Sequence, residues 1–218
     1  MHRRDLIKSS SAAFAAGSLP LLAQAQAPQS RPFQEGADYV ALDKRLPSDA
    51  KSGVIEVIEF FWYSCQHCNA FEPQLEQWAA KLPKDVVLRR MPVAFRDDFA
   101  PQQRLYYTLE AMDKVEELHK KVFYTIHVEK KPLNTEPVIV EWAVAQGLNK
   151  AKFQELYNSF SVQTKVRRAT QMQNDFKVGG VPALGVASRF YTDGAMAQSM
   201  GRALQVTDWL LGEVRKGR

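Results

Sequence analysis

The sequence predicts an α/β protein, and three observations carry that reading. Residues Val54 to Trp62 (VIEVIEFFW) form a mostly apolar run of β-branched and aromatic residues, the composition of a strand buried on both faces of a sheet. Helical periodicity begins at once after it and gives way to a second apolar run at Val86 to Phe95 (VVLRRMPVAF), so strand, helix and strand follow in the order of a parallel βαβ unit. Finally, 218 residues at 45% hydrophobic and 24% charged composition suffice to bury a sizeable core, and no low-complexity segment argues for disorder.

The N-terminus is not expected to be part of that fold. Arg3, Arg4 and Lys8 precede a weakly apolar stretch from Ser9 to Leu22 and the small-residue site Ala23-Gln24-Ala25, the three parts of a secretory signal peptide over residues 1–25. Gly17 and Pro20 interrupt the apolar stretch, and it is shorter than the roughly 20 residues of a membrane span. Arg3-Arg4-Asp5-Leu6-Ile7-Lys8 also resembles a twin-arginine export signal. Export predicts an oxidising compartment, where a cysteine pair can persist as a disulfide.

Removing residues 1–25 takes three basic residues and one acidic residue from a formal charge of +5 and leaves +3. The charges are scattered, without a basic stripe interleaved with aromatics, so nucleic acid is not an expected partner. No glycine-rich phosphate loop and no internal repeat is present.

Residues 26–36 read as a linker, with structure beginning near Tyr39. In the strand 54–62, Glu56 lies near a wet end, whereas Glu59 falls in the apolar half and needs an explanation. From Cys65, the residues Cys68, Phe71, Leu75, Trp78, Ala79 and Leu82 recur at three- and four-residue steps, giving a helix with one buried face. Ser64 is the expected N-cap, and Pro73 lies inside the helix, where it removes an amide donor. Residues 101–174 carry helical periodicity broken at Lys131-Pro132 and Gln146-Gly147, so several helices follow and form a second lobe. Gly179-Gly180-Val181-Pro182 precedes an apolar strand ending at Val186. Arg189 to Met196, with Asp193-Gly194 as a turn, suggests a hairpin, and residues 204–216 close the chain as an amphipathic helix.

The chain holds two cysteines, Cys65 and Cys68, in a C-x-x-C where a buried strand turns into a helix. Free amides and the helix dipole at that turn stabilise a thiolate, which makes Cys65 both an attacker and a good leaving group, with Cys68 as the resolving partner. A structural disulfide is a weaker alternative, because so short a ring constrains almost no chain. Half a metal site is another, and would require His119 or His127. Haem attachment is disfavoured, since Asn69 and not His follows Cys68. Protonated His67 places positive charge beside the Cys65 sulfur. His119 and His127, among Lys and Glu, read as solvated surface residues. For Glu59 two readings stand together: relay of the Cys68 proton, and pairing with Arg89 or Arg90 on the adjacent strand. Val181-Pro182 is either an ordinary edge proline or, with a cis bond, a loop that brings the Val181 backbone to the disulfide.

The segments FFWYSCQHCNAFEP and, far downstream, GGVPALGV resemble the thioredoxin superfamily and within it the DsbA-type periplasmic thiol-disulfide oxidoreductases, over the chain from about Tyr39. The resemblance implies a thioredoxin fold with an inserted helical domain: residues 37–98 and 173–218 thioredoxin-like, and residues 99–172 the insertion. The 113 residues between Cys68 and Pro182 leave room for it. The resemblance further implies that Cys65 is the nucleophile and Cys68 its partner, that Glu59 is the buried acid six residues before the nucleophile, and that Val181-Pro182 is the cis-proline loop. His67 matches as well, and Gln66 stands where well-studied members often carry Pro, within the dipeptide that tunes the potential.

The implied function is donation of the active-site disulfide to reduced, unfolded or folding secreted proteins in the periplasm, without a cofactor or a metal. Reoxidation would come from a DsbB-like, quinone-linked membrane protein, and a monomer is the default state. The alternatives are a disulfide reductase or isomerase, and a chaperone-like binder of unfolded chains.

Overall fold

The computed structural model describes residues 33–217, so the signal-peptide expectation for residues 1–25 lies outside the described residues. The expected buried strand is β2 (Ile55–Phe61), which is buried from Glu56 onward. It runs parallel to β3 (Val86–Pro92), in the register Glu59 opposite Arg90, and antiparallel to β4 (Ala183–Val186). β5 (Phe190–Asp193) pairs antiparallel with β4, and the short β1 (Val40–Ala41) pairs with β5, giving the order β1-β5-β4-β2-β3.

The β2–β3 crossover is α1 (Gln66–Ala79), which contains Pro73. Between β3 and β4 lie five helices, α2 (Ala100–Ala111), α3 (Val115–His127), α4 (Glu136–Ala145), α5 (Lys150–Tyr157) and α6 (Phe160–Asp175), and α7 (Met200–Arg215) ends the chain. Alternation along β2 sends its side chains to two cores. Val57 packs with Phe71 and Leu75 of α1 and with Leu204 and Leu210 of α7, whereas Ile58 and Phe60 pack in the core that contains Leu105, Leu118, Phe153 and Phe176 of the helical segment.

β3 stops at Pro92 and not at Phe95: Val93 N–H still donates to the Phe61 carbonyl of β2 at 2.8 Å, but the groups around it turn to the helical segment. Gln103 Nε2 donates to the Pro92 carbonyl (2.9 Å) and Ala94 N–H donates to Gln173 Oε1 (2.9 Å). The hairpin lies between β4 and β5, and its turn is Ala187-Ser188, both at positive φ (53° and 55°), as a tight turn matched to strand twist requires. Asp193-Gly194 therefore ends β5 and does not make the hairpin turn. Its Oδ1 instead accepts from Met196 N–H at 2.8 Å. Gly185 in β4 is fixed by close approach, since a Cβ there would stand 2.7 Å from the Phe176 ring.

Candidate active site

Cys65 lies where β2 has ended and α1 has yet to begin, and it is the N-cap of that helix in place of Ser64. Its backbone is extended (φ −77°, ψ 115°), and its sulfur accepts the Cys68 N–H at 3.2 Å. A cap residue takes up an amide that the first helical turn leaves without a partner, so the sulfur is held at the positive end of the helix. Both cysteines are free thiols, Cys65 half-buried and Cys68 fully buried.

Their environments push the two thiols apart. A hydrogen bond from the Cys68 side chain, then the backbone N–H groups of Cys68 and His67 and the charge of His67, lower Cys65 to about 6, against the opposing effect of partial burial. Burial raises Cys68 far above the ordinary thiol range, and the adjacent Cys65 adds to the rise. One sulfur is thus mostly ionised at neutral pH and its neighbour holds its proton.

The structure brings most of the expected site residues to this point. Val181-Pro182 is a cis peptide bond, and the Cys65 sulfur lies 3.4 Å from the Val181 carbonyl oxygen, to which its protonated form donates. Gln66 and His67 are exposed in the first turn of α1. His67, Gly180, Val181, Pro182, Gly194 and Met200 line a groove of about 380 Å³ beside the cysteines. A larger cleft of about 520 Å³ includes Ile55 and Glu56 in its lining, at the opposite end of β2.

Glu59 is fully buried, and Arg90, not Arg89, is its neighbour: Arg90 Nε stands 3.2 Å from Glu59 Oε2. The guanidinium points elsewhere, donating to both oxygens of Glu72 (3.3 and 2.9 Å), and neither Glu59 oxygen has a hydrogen-bond partner among the described residues. Burial first, then the charge of Glu72, hold the Glu59 carboxyl well above the usual range, with Arg90 opposing. Arg89 pairs instead with Glu56, which is buried and not at a wet strand end.

Four residues have roles that the sequence did not reveal. Glu72 on α1 receives both Arg90 and His119. Burial alone would raise its carboxyl, but hydrogen bonds from His119 and Arg90 hold it below the ordinary value. His119 is no surface residue: it is 4% exposed, and its ring bridges Tyr63 Oη (2.9 Å) and Glu72 Oε1 (3.0 Å), with burial lowering its pKa. Its spacing to Val122 and Phe123 on α3 was the available signal. His127 is likewise turned inward, its Nε2 contacting the Tyr63 carbonyl at 2.8 Å. With their rings engaged in this way, neither histidine completes a metal site with the cysteines, and among the described residues no cluster of three or more His, Cys, Asp or Glu side chains is placed to hold a metal ion. The fourth residue is Gln102, buried on α2 and bonded to Ser64.

A family profile described as a DSBA-like thioredoxin domain matches residues 56–205. Among curated proteins, the thiol:disulfide interchange protein DsbA of Bordetella parapertussis is 44% identical over 184 residues, covering 84% of this chain and 87% of its own length. The protein of the same name from Bordetella pertussis is 42% identical over 206 residues, 94% of this chain and 95% of its own. Among solved structures, Pseudomonas aeruginosa DsbA superposes with a TM-score of 0.80 at 34% identity, covering 85% of this chain and 96% of its own.

Proposed function

Because the chain belongs to the DsbA-like thioredoxin family and is a protein thiol-disulfide oxidoreductase, we propose that it donates a Cys65–Cys68 disulfide to secreted proteins as they fold in the periplasm. A substrate thiolate attacks the Cys65 sulfur of the disulfide. The bond to Cys68 breaks, and Cys68 leaves as a thiolate that takes up a proton. A second substrate thiolate then attacks the substrate sulfur of the mixed disulfide and releases Cys65 as a thiolate. The substrate has lost two electrons and the protein holds them as a dithiol, ready for reoxidation by a DsbB-like, quinone-linked membrane partner.

The observation that carries this reading is the divergence of the two thiols. A Cys65 thiolate stabilised as the cap of α1 stabilises the reduced form, so giving the disulfide away runs downhill. Cys68 has the opposite requirement, a proton on release, and Glu59 is suited to supply it. Its carboxyl is held well above the ordinary carboxylate value, first by burial, which favours the protonated form, and in its ionised form it raises Cys68 in turn. His67 adds positive charge at Cys65, with Gln66 beside it in the exposed first turn. Val181 and Pro182 border the groove in which a substrate segment would lie. Residues 37–98 and 173–218 then form the thioredoxin-like part and residues 99–172 the inserted helical part of a protein that acts as a monomer, without cofactor or metal. No helix among the described residues is long and apolar enough to cross a membrane.

The test uses a reduced, unfolded protein as substrate. Cys65→Ser abolishes its oxidation, and Cys68→Ser, its Cys65 first converted to a mixed disulfide with glutathione, exchanges glutathione for the substrate and holds a Cys65–substrate mixed disulfide that mass spectrometry identifies. Oxidation that persists in Cys65→Ser would overturn the assignment, and suppression of substrate aggregation by that variant, without any thiol exchange in the wild type, would favour a chaperone-like binder.

A further inference from the structure

The three residues before Cys65 are each held by the helical segment. Trp62 stacks on Phe99 with ring centroids 3.7 Å apart and planes 9° from parallel. Tyr63 is held at its hydroxyl by His119 and at its carbonyl by His127. Ser64 is held, among the described residues, by Gln102, and doubly: its N–H donates to Gln102 Oε1 at 3.2 Å and its hydroxyl accepts from Gln102 Nε2 at 2.7 Å. The orientation of that amide is determined by its partners, because Nε2 also donates to the Pro132 carbonyl at 2.8 Å, an acceptor only, while the Ser64 N–H is a donor only.

This grip bears on an anomaly at the start of α1. Serine is among the strongest N-caps and stands one residue ahead of a cysteine. A Ser64 cap would start the helix one residue earlier and place Cys65 at its first helical position, where a side chain no longer receives the amides of the first turn. The helix instead starts at Gln66 with Cys65 as its cap.

We propose that Gln102 is a positioning residue for the exchange reaction: by occupying both the N–H and the hydroxyl of Ser64 it removes that residue from competition for the helix cap and assigns the cap to Cys65, whose sulfur thereby receives the Cys68 N–H. The inference rests on the proposed role of Cys65 as nucleophile. It gives α2 a part in the chemistry beyond packing, because a side chain that is 2% exposed and does not touch either sulfur sets which residue the helix terminus stabilises.

The groups acting on Cys65 are His67, Cys68, Glu59 and the first-turn amides, and a change at Gln102 alters none of their charges. The experiment follows thiolate absorbance with pH in the reduced wild type, Ser64→Ala, Gln102→Met and the double variant, with Gln102→Ala run in parallel and folding checked by circular dichroism. Loss of a cap interaction raises the Cys65 midpoint in Gln102→Met by about half a unit to one unit, roughly three- to tenfold less thiolate at pH 5 and below. Ser64→Ala alone stays close to wild type. The double variant returns to the Ser64→Ala value, because no hydroxyl remains to compete.

An unchanged midpoint in both Gln102 variants overturns the proposal, as does a rise that Ser64→Ala fails to reverse, since a purely structural Gln102 would lower stability without this rescue. Wild-type Cys65 titrating as an ordinary thiol near 8.5 would instead overturn the reading of Cys65 as an activated nucleophile, and the proposal with it.

Discussion

Arg90 faces Glu59 directly across the β2–β3 register, with Nε 3.2 Å from the carboxylate, yet directs its hydrogen bonds to Glu72. A single guanidinium serves two buried carboxyls, and it ionises the one it grips. Glu72 is held low by Arg90 and His119, and its charge then helps to hold Glu59 high. The cluster therefore favours a proton on the carboxyl six residues before Cys65.

That proton has a consequence for stability. Glu59 has a folded-state pKa raised above its unfolded value of about 4.3, so the folded protein binds more protons, and the favourable contribution is complete below that pH and lost as pH rises through the folded value. Glu59→Gln, which mimics the protonated form, is expected to be more stable than the wild type at pH 8 by about 1–2 kcal/mol, with the difference vanishing at pH 4. Urea unfolding of the reduced proteins across this range measures it. The same variant should slow the release of Cys68, seen as slower formation of the mixed disulfide.

Alkylation separates the two thiols. With Cys65 at about 6 and Cys68 far above the ordinary range, a brief pulse of iodoacetamide at pH 7 should modify Cys65 alone, along a rate profile with its midpoint near pH 6. In Cys68→Ser the profile of Cys65 should move, because the leading stabiliser of its thiolate is the Cys68 side chain. A hydroxyl in its place is a different donor, and Cys68→Ala, with none, should shift the midpoint upward and slow alkylation several-fold at pH 6.

His119 is buried and its pKa is lowered, so the unfolded chain binds the proton more readily. Its contribution to stability is present above its unfolded pKa of about 6.5 and is lost as pH falls through that value toward the lower folded one. His119→Leu leaves Tyr63 Oη and one contact of Glu72 without a buried partner and is expected to cost about 2–4 kcal/mol at pH 7.5. Adding Tyr63→Phe should recover part of that loss. A double-mutant cycle by chemical denaturation measures the coupling.

Gly185→Ala should destabilise by about 1–3 kcal/mol, since the new Cβ meets the rigid Phe176 ring at 2.7 Å and the Phe60 ring at 3.2 Å. Combining it with Phe176→Leu should restore some of the loss in thermal unfolding, as a smaller side chain frees the space.

The strand at 55–61, the crossover helix after Cys65, the parallel β3 and the helical segment after Pro101 were legible because each follows from apolar periodicity along one stretch of chain. The cysteine pair was legible because its chemistry lies in two residues and the turn that holds them. What sequence did not show depends on contacts between distant residues. Nothing local marks Ser64 as engaged by a glutamine 38 positions on, and without that contact it is the better cap. His119 was misread because the Lys and Glu around it lie on other faces of α3, while its own face, with Val122 and Phe123, turns to the core. The hairpin turn at Ala187-Ser188 carries no glycine or asparagine, so the Asp193-Gly194 pair drew the assignment away from it.

Equilibration of the protein with glutathione redox buffers, with the oxidised fraction of Cys65 and Cys68 read by alkylation and mass spectrometry, tests most directly whether the stabilised Cys65 thiolate makes this protein a disulfide donor. A disulfide donor has a potential above about −180 mV, towards the reference value for DsbA proteins of about −120 mV; a potential near the thioredoxin value of about −270 mV would make the protein a reductant and contradict the proposed function.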